Sequence, residues 1–201
     1  GSMGDDTPMP VMSQQNRSIY DYFRQQFAQV TNPAIDSLRE SSVMSLEVCI
    51  GEERNIFEES PKHADRLILN SPILDRQTFE GIVNNDLKEY SNDRIDLNYD
   101  YTIDLEEAIN TISDRAVRSV KKGNNLIILS DKQINKDKLV IPAPMALGAV
   151  HHKLIAEGLR CDTNIIVESG SARNPHHFAV LIGYGATAIY PYLAFEIIRE
   201  L

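Results

Sequence analysis

Residues 104–131 read DLEEAINTISDRAVRSVKKGNNLIILSD, and this stretch decides the fold class. Asp104 offers an oxygen to the free amides that open a helix, and Glu107 three residues on completes a capping box. Leu105, Ala108, Ile109, Ile112, Ala116 and Val120 then recur at helical spacing, so one face of the helix is apolar, and Gly123 supplies the stop. Leu126-Ile127-Ile128-Leu129 follows with no polar alternation. That is the pattern of a strand covered on both faces, as in a parallel sheet.

The same alternation extends in both directions from this stretch. Upstream, Ile95 to Tyr99 reads as a strand. Downstream, Pro142 and Pro144 open a helix that runs to about Glu157 and is closed by Gly158. Ile165-Ile166-Val167 is a second covered strand, and Asn174-Pro175 has the form of a cap and first turn. Phe178 to Ile182 reads as a buried helix ending near Gly183 or Gly185, followed by a short strand at Ala188 to Tyr190 and a last helix from Tyr192. Strands and helices alternating with short connections imply an α/β fold of repeated βα units with a mostly parallel sheet, open or curled toward a barrel. The incomplete TIM-barrel-like form is favoured.

The chain before Asp93 is less regular. Gly1 to Arg17 has no sustained apolar period and reads as an extended arm. Ser18 to Phe27 supports a short helix with Ser18 as cap and Ile19, Tyr22, Phe23 and Phe27 on one face, and Asn32-Pro33 ends any helix there. Val43 to Ile50 alternates as a strand stopped by Gly51. An acidic loop and the apolar triplet Leu67-Ile68-Leu69 lead to a helix near Gln77 to Val83. These features divide the chain into residues 1–44, an arm with a helix and loop, and residues 45–201, the α/β domain.

Composition excludes several classes of function. A net charge of −9 in 201 residues, with no basic cluster denser than Lys121-Lys122, argues against nucleic-acid binding. No apolar run reaches the roughly 18 residues of a membrane span. Cys49 and Cys161 are far apart with no CxxC spacing, which reads as free thiols in a reducing, cytoplasmic compartment.

Ligands of parallel α/β folds sit beyond the carboxyl ends of strands, which singles out Ser130-Asp131-Lys132, Glu168-Ser169-Gly170 with Arg173, and Tyr190. Asp131 and Glu168 could form an acid/base pair, but carboxylates at strand ends more often cap helices and hold arginines. His151-His152 and His176-His177 invite a metal, yet adjacent helical residues point about 100° apart and cannot share one ion. Gly170-Ser171 and Gly183-Tyr184-Gly185 match no phosphate-binding fingerprint, and there is no GxSxG elbow. From these residues alone, a small-molecule-binding βα protein using the Glu168, Ser169 and Arg173 rim stays open.

Longer segments carry a family resemblance. Tyr22-Phe23-Arg24-Gln25-Gln26-Phe27-Ala28-Gln29-Val30-Thr31-Asn32-Pro33-Ala34-Ile35-Asp36, Gly148-Ala149-Val150-His151-His152, Val167-Glu168-Ser169-Gly170 and His176-His177-Phe178-Ala179-Val180-Leu181-Ile182-Gly183-Tyr184-Gly185 resemble, in order, the central domain of the large subunit of glutamate synthase. Small departures stand at Ala34 and Ser37, where the family usually or often has proline. The resemblance implies a domain cut from a larger enzyme, an incomplete βα barrel between a glutamine amidotransferase domain and an FMN-bearing synthase barrel. It implies that the parent makes glutamate from glutamine and 2-oxoglutarate, with FMN and an iron–sulfur cluster held outside this segment. Electrons would come through a small reductase subunit or ferredoxin. With no catalytic or cofactor-binding residue of its own, the isolated chain is expected to be inactive. By the same resemblance, Gln29, Thr31 and Asn32 would lie in a loop lining the ammonia path. The plainer reading is that Thr31 and Asn32 only form the turn before Pro33.

Overall fold

The computed structural model of the chain describes residues 11–24, 35–36, 38–85 and 87–201. It divides into two compact units, Gly1–Leu46 and Glu47–Leu201.

In the first unit, Ser18 Oγ accepts from the Tyr20 amide and starts a single 3-10 turn, Ile19–Tyr22. The amphipathic helix expected from Ser18 does not continue past it, because Phe23 is extended and ends the turn. Tyr20 is the buried ring and Tyr22 is exposed, the reverse of the expected face. Asp36 then accepts from the amides of Leu38 and Arg39, which seeds the short helix α1, Glu40–Val43. The strand expected from Val43 therefore starts later, as β1, Val48–Ile50.

In the second unit, β1 pairs antiparallel with β2, Leu67–Leu69, so the apolar triplet is a strand. Helix α2, Arg76–Val83, follows, with Asp75 accepting from the Thr78 amide at 2.7 Å. Next come β3, Asn92–Asp96, and β4, Asn98–Asp100. The single strand expected over 95–99 is split at Leu97. Its amide bonds to Ser130 O and its carbonyl accepts from Ile141, which turns the chain out of one sheet and into another. Helix α3, Leu105–Lys121, is capped by Asp104, which accepts from the Glu106 amide, and it ends at Gly123, whose φ of 99° lies in the left-handed region. Strand β5, Leu126–Ser130, is buried at every position.

After β5 come β6, Lys138–Val140, which pairs antiparallel with β4, then α4, Ala143–Ala156, and β7, Asn164–Glu168. Helix α5, Pro175–Gly183, opens with Asn174 accepting from the His177 amide. It is buried only on the side of His177 and Leu181; Ile182 is 43% exposed, so the expectation of a fully buried helix is not met. β8, Ala188–Tyr190, and α6, Tyr192–Glu200, complete the chain.

The main sheet has the order β3-β5-β7-β8, and all three pairings are parallel. Each strand lies beside the next in sequence, with no reversal. Right-handed crossovers then place α3, α4 and α5 on one face, which is single winding of the barrel kind rather than double winding. Among the described residues the sheet is an open arc and does not close. Beyond β8, Ile73 adds a parallel bridge to Ile189.

Register assigns side chains to the two faces. Ile95, Leu129, Val167 and Ile189 share a row on the helix-covered face. On the opposite face, Leu126, Ile128, Ile166, Ala188 and Tyr190 form one cluster with Ile50 and Leu69 of the hairpin and Phe79 and Ile82 of α2. This double cover explains why β5 contains no polar residue before its last position.

Candidate functional site

The row nearest the carboxyl ends of the strands, on the face covered by the hairpin and α2, is Asp96, Ser130, Glu168 and Tyr190. Here the apolar sheet becomes polar. Glu168 is fully buried; its Oε2 accepts from Ser130 Oγ at 2.7 Å and from Arg94 Nη2. Lys132 Nζ lies 3.6 Å from Oε1, which accepts no hydrogen bond from the described residues. A carboxylate this deep needs its charge matched, and the guanidinium and ammonium together do so.

Just beyond the strand ends, Asp131 accepts from Ser169 Oγ at 2.6 Å and from the Gly170 amide at 3.0 Å. Ser169 and Ser171 are linked through their hydroxyls at 2.8 Å. Tyr192 packs over this turn: a Cβ on Gly170 would come within 2.8 Å of its hydroxyl oxygen. Burial, and then the adjacent charge of Asp131, push the Tyr192 phenol well above the usual tyrosine range, so it stays protonated. Lys132 Nζ sits 5.6 Å from the centre of the same ring.

The residues singled out from the sequence therefore separate. Ser130, Asp131, Lys132, Glu168, Ser169, Gly170 and Tyr190 gather at the strand ends, but Glu168 and Asp131 hold different partners. Arg94 and Ser130 hold Oε2 of Glu168, and Ser169 and Gly170 hold Asp131, a set of bonds that joins β3, β5 and β7. Arg173 does not join them. It is exposed and its amide donates to His177 Nδ1, so the rim of Glu168, Ser169 and Arg173 does not converge on one ligand. Gln29, Thr31 and Asn32 lie outside the described residues.

The histidine doublets behave as their helical spacing requires. The rings of His151 and His152 are 5.5 Å apart at 77°, and those of His176 and His177 are 6.1 Å apart at 63°. Among the described residues, no group of three or more His, Cys, Asp or Glu side chains could hold a metal ion. His151 Nδ1 instead accepts from Arg160 Nε at 3.0 Å, while Arg160 also donates to the carbonyls of Thr163 and Gly185. Burial, followed by the nearby Arg160 charge, lowers the His151 pKa, so the imidazole is neutral and its Nδ1 can accept.

Tyr192 fills the approach to Gly170 where a phosphate would need open backbone, and Cys49 and Cys161 are both exposed free thiols. Among the described residues, no helix is long and apolar enough to cross a membrane.

Two participants, Arg94 and Tyr192, were not legible from motifs. The signal for Arg94 was its parity: it falls in phase with Ile128 and Ile166, so a cation on that face had to find a partner further up the sheet. Tyr192 carried no such signal.

The family profile described as glutamate synthase central domain matches residues 1–201. The chain is 46% identical over 202 residues to the chloroplastic ferredoxin-dependent glutamate synthase of Spinacia oleracea, covering 98% of this chain and 12% of that protein. It is 42% identical over 203 residues to the NADPH glutamate synthase large chain of Bacillus subtilis, covering 100% and 13%. To the NADH glutamate synthase of Saccharomyces cerevisiae it is 39% identical over 201 residues, covering 98% and 9%.

Proposed function

Because the chain belongs to the family of glutamate synthase central domains, we propose that it joins the glutamine amidotransferase domain to the FMN synthase barrel of one polypeptide, in a cytoplasmic enzyme that forms glutamate from glutamine and 2-oxoglutarate. Its task in that polypeptide is to hold the two reaction sites in register and to line part of the ammonia path between them. The chemistry belongs to the flanking domains, where FMN and an iron–sulfur cluster supply the redox step. The observation that carries this reading is the state of the strand ends. Asp131 and Glu168, which an enzyme of this fold would turn on a substrate, are tied to neighbouring strands. The named relatives supply a second support. They use ferredoxin, NADPH or NADH, so a domain common to all three serves a step that does not depend on the reductant.

The loop of Gln29, Thr31 and Asn32 is the proposed lining of the path. Ammonia is small and neutral, and neutral hydroxyl and amide groups can pass it along where a charge would hold it. The test uses the full-length enzyme with Thr31→Leu, comparing glutamine hydrolysed with glutamate formed from 2-oxoglutarate. The expected result is uncoupling, with hydrolysis in excess and free ammonia in solution. A stable variant that keeps the original ratio removes the loop from the path. The isolated chain should be colourless and without glutaminase turnover; a stoichiometric flavin spectrum from it would remove the central-domain reading itself.

A further inference from the structure

Among the described residues, strand β2 is paired on one side only, with β1, which leaves its other edge without a strand partner. Two grooves run along that edge. One, of about 320 Å³, is lined by Leu67, Leu69, Ile82, Leu87 and Tyr90, and its wall is almost wholly apolar. The other, of about 340 Å³, has a mixed wall, with Ile68, Leu69, Ile73, Leu74 and Phe195 beside the polar side chains of Asn70, Ser71, Asp75 and Thr78. Leu69 and Thr78 border both, so the surface is continuous and reaches α6 at Phe195. One turn further along α6, Ile198 is 67% exposed, and Ile68 at the strand edge is 58% exposed. Isolated exposed aliphatics need no explanation, but a run of them beside an unpaired strand edge is what soluble proteins cover.

We infer that the β2 edge and the outer face of α6 form one docking surface, and that its occupant is an apolar segment from another domain of the same polypeptide. This rests on the reading of the chain as a glutamate synthase central domain. Length argues for such an occupant: the chain corresponds to 9% to 13% of the relatives named above, so most of each of those polypeptides lies outside it. Charge argues against a second copy, since two chains of net charge −9 repel on approach. Tethering also favours the occupant in cis, because a linked domain meets the surface at high effective concentration and an aliphatic face need never be solvated.

The experiment measures maleimide labelling in the full-length enzyme carrying Ile68→Cys, Ile198→Cys or, as a control away from the surface, Ile134→Cys, which replaces a side chain 59% exposed. Peptide mass mapping separates these sites from Cys49 and Cys161. Positions 68 and 198 should label at least about tenfold more slowly than position 134, the factor that about 1.4 kcal/mol of local protection gives. Hydrogen exchange of those Leu67–Leu69 amides that point away from β1 should be slow in the unsubstituted enzyme in the same preparation, which guards against a variant that misfolds. If either position labels as fast as 134, or the amides exchange freely, the surface is not covered and the inference fails. Protection lost on dilution to a smaller assembly would assign the surface to a second copy and overturn it equally. A failure of the functional reading is distinguishable, because it appears as a full-length protein that forms no glutamate, whatever its labelling pattern.

Discussion

Arg94 on β3 reaches past β5 to Glu168 on β7, its Nη2 donating to a carboxylate oxygen that Ser130 of the intervening strand also holds. One bond thus spans three strands. Glu168 is fully buried while the Arg94 side chain is 38% exposed, so the pair is neither a surface ion pair nor a dry one.

Removing the cation should cost more than a surface pair is worth and less than a fully buried one. Arg94→Met leaves the Glu168 carboxylate with Ser130 and the more distant Lys132, and the expected loss is about 1–3 kcal/mol of unfolding free energy. Urea unfolding of the 201-residue chain measures it. A change near zero would mean that Lys132 alone balances the charge.

Gly170 should not tolerate a side chain. Its Cβ would fall 2.8 Å from the Tyr192 hydroxyl oxygen and 3.0 Å from the ring carbon that bears it. Gly170→Ala must therefore move Tyr192 off the turn that Asp131 holds, at a cost of about 1–3 kcal/mol. Because the two residues share one contact, Gly170→Ala combined with Tyr192→Phe should cost less than the sum of the single changes, as a double-mutant cycle would read. Strict additivity would show that the strain lies elsewhere.

His151 should make the domain acid-sensitive. Its folded pKa is lowered by burial and by Arg160, so below about pH 6.5 the unfolded chain takes up a proton that folded His151 still refuses. The stabilisation is complete above that pH and is lost as pH falls through the lowered folded value. His151→Gln does not titrate there and should flatten the dependence of unfolding free energy on pH by up to about one proton. Equal slopes for the two proteins would place the sensitivity in another group.

The fold was legible where local and global signals agreed. Asp104, Asn174 and Gly123 sit at the helix ends assigned to them, and the apolar runs of β5 and β7 are covered on both faces. The misreadings share a cause, a side chain or backbone bond that redirects the chain. Asp36 gathers amides and seeds a helical turn ahead of an alternating segment. Leu97 takes one bond from each of two sheets. Neither event alters hydrophobic periodicity, so neither leaves a trace in it. At the strand ends the segments singled out from the sequence do meet, since topology fixes where they lie. Which oxygen met which donor depended on register and on the turns beyond the strands, and neither is set by hydrophobic periodicity.

The bridge between Ile73 and Ile189 imposes an order in time. Strands β3, β5, β7 and β8 can be added one after another as the chain emerges, each pairing with the one just laid down. The Pro72 to Leu74 segment precedes them all, yet its hydrogen bonds run to the last of them: the Pro72 carbonyl accepts from Ile189 and the Leu74 amide donates to it. That segment must wait unpaired until residues more than a hundred positions later arrive. The hairpin and α2 can therefore take their final place only when synthesis of the domain is nearly complete, and they are the part of this unit most in need of protection on the ribosome.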